Sequence, residues 1–160
     1  MRTAIIPGSF DPMTLGHKDI VERTLKLFDR VIVAIMINPS KTGTFSFAER
    51  KKIAELTLVD YPEVKVITAD GYLADLAAAM KSVAIVKGVR NTEDFEYEQD
   101  MAAFNHERNH VTETIYLPSY GNNSNISSTA ARNMIMSGES LAGILAPEAI
   151  EYIKGLSIKQ

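Results

Sequence analysis

The chain has 160 residues, 46% of them hydrophobic and 23% charged, and its 17 Lys and Arg against 20 Asp and Glu leave a formal net charge of −3. This length and balance fit one globular domain over 1–160 and argue against disorder. A chain so near neutrality lacks the basic field on which sequence-independent nucleic-acid binding rests. The absence of cysteine removes disulfides, thiolate metal sites and a cysteine nucleophile.

No membrane span is expected, because the longest apolar run, 31–37, falls far short of the roughly 18 residues a spanning helix needs. Nor do the first residues read as a signal peptide. Ala4, Ile5 and Ile6 run at once into Pro7 and Gly8, and Asp11 follows. The expectation is a cytoplasmic protein.

Residues 3–6 form a short β-branched run, and 16–28 place Val21, Leu25 and Phe28 on one helical face. The continuous apolar run 31–37 predicts a strand buried on both faces. Ser46 with Glu49 matches a capping box and opens a second helix. Residues 64–68 predict a strand and 72–80 a helix. Residues 83–86 predict a strand, and 94–108 a long helix that buries Phe95, Met101 and Phe104. A strand over 114–117 and a helix over 127–137 follow, the latter stopped by Gly138. Pro147 then opens a last helix to about 154. Five alternations of strand and helix predict an α/β domain with a doubly wound, five-stranded parallel sheet, Rossmann-like in class. Ligands of such sheets bind beyond the carboxyl ends of the strands.

The residues after each strand therefore belong together. The first strand runs into P-G-S-F-D-P-M-T-L-G-H, where Gly16 and His17 open a helix. Free N–H groups and the helix dipole suit an anion there. The second strand leads to Asn38, Pro39, Ser40 and Lys41, and the fourth to Lys87, Gly88, Val89 and Arg90. The fifth leads to an Asn-rich loop and then Ser127, Ser128 and Thr129 at a helix start. One Ser is an ordinary N-cap, but three consecutive hydroxyl residues are a second phosphate cradle. Each feature alone has a plain reading as a solvated turn. Their convergence on one sheet edge points to a polyphosphate, hence a nucleotide.

Other chemistries lack their motifs. There is no G-x-x-x-x-G-K-[ST] loop, no G-x-G-x-x-G fingerprint and no G-x-S-x-G elbow. His17, His106 and His110 make no metal cluster by spacing, and no protein metal ligand is predicted.

The segment G-S-F-D-P-M-T-L-G-H resembles the T/H-x-G-H signature of the nucleotidylyltransferase superfamily, and I-S-S-T resembles its second phosphate motif. More specific is K-G-V-R-N-T-E-D-F-E-Y-E-Q-D-M-A-A-F-N, which is similar to the corresponding segment of bacterial phosphopantetheine adenylyltransferases. The N-P-S-K stretch and the overall length agree, so the resemblance spans nearly the whole chain.

It implies a nucleotidylyltransferase fold and reversible transfer of an adenylyl group from ATP to 4′-phosphopantetheine. The products would be dephospho-coenzyme A and pyrophosphate, the penultimate step of coenzyme A synthesis, assisted by Mg²⁺. By the same resemblance Ser9 touches both substrates, Phe10 contacts ATP through its backbone and His17 is the transition-state residue. Lys41, Leu73 and Lys87 are matched to the phosphopantetheine side. Gly88, Val89, Arg90, Glu98, Asn123, Ser124, Asn125, Ile126, Ser127, Ser128 and Thr129 are matched to ATP. Lys87 stands where the family usually has Arg, so it keeps the charge and loses the bidentate fork.

The resemblance also implies a homohexamer. Apolar residues on the helices over 72–80 and 94–108 are compatible with that assembly and equally with core burial. Two other readings stand beside this one. Another adenylyltransferase of the superfamily, such as one acting on nicotinamide mononucleotide, would share I-S-S-T-A-A-R but not D-F-E-Y-E. A non-catalytic nucleotide sensor would explain the cradles but not His17 and Lys41 together.

Overall fold

Side chains of the first strand, β1 (Thr3–Gly8), alternate between two apolar layers. Ala4 and Ile6 enter one core and Ile5 the other, as the two-residue period of a strand requires. Both faces of the sheet are thus covered, which explains why β2 (Arg30–Met36) reads as an unbroken apolar run. The computed structural model describes residues 1–156, so 157–160 of the expected 1–160 domain lie outside the described residues.

The remaining strands are β3 (Lys65–Ala69), β4 (Ala84–Val89) and β5 (Glu113–Pro118). All pairs are parallel and the order is β3-β2-β1-β4-β5, the doubly wound arrangement expected. The helices are α1 (Leu15–Leu25), α2 (Phe47–Thr57), α3 (Leu73–Ala79), α4 (Thr92–Arg108), α5 (Ser128–Ser137) and α6 (Pro147–Lys154). The larger core joins α1, α2, α5 and α6 to one face of the sheet through Val21, Ile53, Ala131 and Ile153. The smaller core sets Ala77 of α3 against Ile5, Ile32 and Ile85.

The pairing explains where a cleft forms. β1 pairs β2 from Thr3 to Gly8, but it pairs β4 only at Ala4 and Ile5. Beyond Ile5 and Ile85 the two central strands carry no further pairs, at the point where the strand order reverses. This is the crevice in which open α/β sheets bind their ligands.

Three expectations need correction. β4 does not stop at Val86. Lys87, Gly88 and Val89 continue it, held in register against Tyr116, Leu117 and Pro118 of β5. The helix expected over 16–28 ends at Leu25, and a turn carries the chain to Phe28. Phe95, Met101 and Phe104 are 37%, 45% and 42% exposed rather than buried. In α4 only Asn105 is buried, so this helix rides on the domain instead of sealing it.

Candidate active site

Two helix N-termini and two strand ends enclose a cleft of about 640 Å³ at the carboxyl edge of the sheet. β1 delivers Ser9 and Phe10, and Phe10 lies in the left-handed region at φ 43° with its ring buried. Gly8 makes room for that ring: a Cβ there would lie 3.0 Å from Phe10 Cε2. The Phe10 ring in turn meets the His17 ring at 71°, with centroids 5.1 Å apart.

His17 is fixed by its own helix cap. Thr14 is the N-cap of α1, and its backbone N–H donates to His17 Nδ1 at 2.9 Å. The Thr14 hydroxyl lies 3.0 Å from the same nitrogen, and His17 N–H closes the box on Thr14 Oγ1 at 3.4 Å. A backbone N–H can only donate, so Nδ1 is an acceptor and the neutral ring carries its proton on Nε2. Burial, then the charges of Arg90 and Lys87, lower the His17 pKa from 6.5 to about 4. At neutral pH the residue is therefore an uncharged N–H donor in a cleft that also holds Lys87 and Arg90.

The cations at the end of β4 and just after it are paired with acids of α4. Lys87 Nζ lies 3.1 Å from Glu98 Oε1. Arg90 grips Asp94 in a fork, Nε to Oδ2 at 2.9 Å and Nη2 to Oδ1 at 3.2 Å. That fork holds the Asp94 carboxyl below the usual carboxylate range. Across the cleft, Ser127 caps α5 by accepting from Ala130 N–H at 3.0 Å. Ser128 donates to the Pro12 carbonyl at 2.8 Å, and Arg132 Nη2 donates to Thr129 Oγ1 at 3.0 Å. Ser128 and Thr129, at the first two positions of α5, keep their backbone N–H groups without an acceptor among the described residues. So does Gly16 in α1. Free N–H groups at two helix starts, with cations between them, are chemically suited to a ligand with several phosphates.

A family model described as cytidylyltransferase-like matches residues 5–134. The phosphopantetheine adenylyltransferase of Flavobacterium johnsoniae is 42% identical over 154 residues, covering 96% of this chain and 100% of that protein. That of Clostridium tetani is 39% identical over 153 residues, covering 96% of each. The chain belongs to the phosphopantetheine adenylyltransferase family. A crystal structure from Vibrio parahaemolyticus, described as a nicotinate-nucleotide adenylyltransferase, superposes with a TM-score of 0.71 at 20% identity, covering 97% of this chain and 100% of that one. At that identity the likeness speaks for the fold.

Most site residues expected for this family meet in the one cleft. Ser9, Phe10, His17, Lys87, Gly88, Arg90, Glu98, Asn123, Ile126, Ser127, Ser128 and Thr129 all line it. Leu73 does not. It opens α3 and lines a smaller cavity of about 140 Å³, which shares Lys87, Tyr97 and Glu98 with the main cleft. Val89 lies in β4 opposite Pro118 and does not line the cleft. Ser124 and Asn125 belong to a short 3-10 helix, Gly121–Asn125, outside the lining. Lys41 sits on an exposed turn after β2, also outside it.

Sequence reasoning missed Thr14, Asp94, Tyr97 and Arg132, all of which line the cleft. Arg132 was findable. It stands three residues after Thr129 in I-S-S-T-A-A-R, a helical spacing that returns its side chain to the α5 start. Asp94 had a signal as well, four residues after Arg90 at a helix beginning.

Proposed function

We propose that the protein transfers the adenylyl group of ATP to 4′-phosphopantetheine, reversibly, giving dephospho-coenzyme A and pyrophosphate. Family membership supports the reaction. The observation that carries the mechanism is the neutral, capped His17 set between two open helix N-termini and the Lys87 and Arg90 cations. An oxygen of the acceptor phosphate attacks the α-phosphorus, and the bond from that phosphorus to the bridging oxygen of pyrophosphate breaks. A phosphomonoester has its second pKa near about 6 and is already anionic at neutral pH, so no general base is required. The task is to bring anions together and to stabilise charge as it moves.

Each group then has a role. His17 Nε2–H donates to the α-phosphate as it becomes five-coordinate. Ser9 and the Phe10 backbone N–H face both substrates. The Ser127, Ser128 and Thr129 turn receives the β- and γ-phosphates, with Gly88, Arg90, Glu98 and the 123–126 segment along the nucleotide. Lys41 and Lys87 serve the acceptor phosphate, and the pantetheine arm follows Leu73 into the smaller cavity. Mg²⁺ would be carried mainly on phosphate oxygens, with no side-chain ligand assigned. When bound there it neutralises charge on the departing pyrophosphate.

We further propose a cytoplasmic homohexamer. Among the described residues no helix is long and apolar enough to cross a membrane. The exposed Tyr72, Phe95, Met101 and Phe104 on and beside α3 and α4 supply apolar surface for assembly, and sedimentation as a monomer would overturn it. The deciding assay measures pyrophosphate release with ATP and either phosphopantetheine or nicotinamide mononucleotide. Turnover with phosphopantetheine is expected. Turnover only with the mononucleotide, or ATP binding with neither reaction, would overturn the proposal.

A further inference from the structure

Beside the cleft lies a buried ion pair to which the reaction above gives no role. Asp11 and Arg50 are each 6% exposed, and Arg50 Nε is 3.3 Å from Asp11 Oδ1. Asp11 accepts from two further backbone groups, Thr44 N–H on Oδ2 and Phe45 N–H on Oδ1, both at 2.9 Å. Arg50 donates to the Phe45 carbonyl at 2.9 Å and to the Ser9 carbonyl at 3.4 Å, and its guanidinium lies over the Phe47 ring at 4.7 Å. Arg132 Nη1 closes the knot from α5 by donating to the Asp11 carbonyl at 2.9 Å. The fit leaves no slack at Gly43, where a Cβ would stand 1.5 Å from Arg50 Nη2.

Arg50 of α2 meets three other chain segments in this knot, and each of those carries groups of the cleft or of the acceptor loop. One is the turn with Ser9 and Phe10. Another is the stretch leading from Lys41 to Phe45, and the third is α5 with its phosphate-facing start. A trans peptide sends its C=O and N–H in opposite directions. The Ser9 carbonyl, turned toward Arg50, therefore leaves the Phe10 N–H turned away from Arg50. That N–H has no acceptor among the described residues.

We infer that Arg50 is a positioning residue for adenylyl transfer. With Asp11 it presents the Phe10 N–H and ties the Lys41 loop to the same turn, so donor and acceptor subsites keep one mutual register. A buried pair of this kind seldom adds net stability over apolar side chains of equal volume, so its contribution here is geometry. Lys in place of Arg keeps the charge but cannot reach Asp11, the Phe45 carbonyl and the Ser9 carbonyl from one rigid plane.

The inference rests on the reaction proposed above, and the two fail separately. An inactive wild type sinks the reaction, whereas an active wild type with an indifferent Arg50→Lys sinks only the inference. In folded Arg50→Lys, kcat should fall roughly 10–100-fold and KM for phosphopantetheine should rise about tenfold, with ATP affinity by calorimetry moving less than about threefold. A purely structural role would lower kcat in proportion to the folded fraction and leave KM alone, and that result overturns the inference. Hydrogen exchange on the wild type decides independently if the variant does not fold. The Thr44 and Phe45 amides should exchange as slowly as those of β1. Exchange at the rate of an open loop would overturn the knot itself.

Discussion

The two helix starts that frame the cleft solve different problems. At α1, the Leu15 N–H goes to the Ile144 carbonyl, the His17 N–H to Thr14 and the Lys18 N–H back to the Thr14 carbonyl. Among the described residues only Gly16 of this first turn keeps a donor without an acceptor, and the cap orients one imidazole. At α5, a single hydroxyl from Ser127 closes the cap and both Ser128 and Thr129 keep free donors. One end holds a side chain in place, and the other leaves two donors that suit an anion. The N-terminus of a helix is thus no single device: its use depends on what the cap leaves unpaired.

The comparison is broken most severely at His17. In the proposed mechanism its Nε2–H meets an α-phosphate oxygen that gains charge in the transition state, so its loss would remove transition-state binding more than ground-state binding. In His17→Ala, kcat should drop about 10²–10³-fold, as for loss of an oxyanion-hole donor, and both substrate affinities should move only a few fold. Steady-state kinetics, calorimetry and a thermal melt test this together. Near-normal turnover, or inactivity explained by unfolding, would return His17 to the status of a cap residue.

Lys41 sharpens the contrast on the acceptor side, because it lies on an exposed turn and not in the lining of the cleft. If it closes on the acceptor phosphate, Lys41→Ala removes a charge-assisted contact valued at about 1.5–3 kcal/mol. The loss should appear in kcat/KM for phosphopantetheine and hardly in ATP affinity. Equal damage to ATP binding would show that Lys41 serves the nucleotide instead.

The α5 end should respond more mildly. Ser127→Ala deletes the cap and should lower stability by about 1 kcal/mol, or roughly 2–4 °C in Tm for a domain of this size. ATP affinity should weaken severalfold through a frayed cradle while KM for phosphopantetheine holds. A wild-type melt with unchanged ATP affinity would show that the backbone donors stand without the Ser127 hydroxyl.

What the sequence made legible follows a physical divide. The β1 to α1 and β5 to α5 junctions were readable because Gly, Pro and hydroxyl residues at helix starts have local causes. The true length of β4 was not, because Lys87 and Gly88 interrupt the apolar pattern and only pairing with β5 extends the strand. The Gly121–Asn125 turn was read as loop, since Gly, Asn and Ser in series carry no helical period. The sequence predicts Phe95, Met101 and Phe104 as buried positions of a long helix, but apolar side chains on a helix cannot tell one that is buried from one that rides above a cleft. Asp11 and Arg50 lie 39 positions apart in sequence, and nothing local announces their pairing.

The smallest effect separates the α1 end from an ordinary histidine. With a pKa near 4 in the free protein, His17 stays neutral from pH 8 down to about pH 5. The kcat/KM profile should then show no break near 6.5 from this residue. Any break near 6 should belong to the acceptor phosphate, whose second pKa is about 6. Stability moves in a definable sense. The unfolded chain binds a proton on this side chain as pH falls through 6.5, while the folded chain resists until about 4. The His17 contribution to folding therefore declines across that window on acidification and is constant above and below it. The His17 ring resonances, followed by NMR against pH, should titrate well below those of an exposed histidine. Binding inorganic pyrophosphate should move that midpoint upward, because an anion beside Nε2 favours the charged ring. A midpoint at 6.5 in the free protein would mean that the ring is not buried beside the Arg90 and Lys87 charges, and the neutral donor assigned to the α1 start would fall with it.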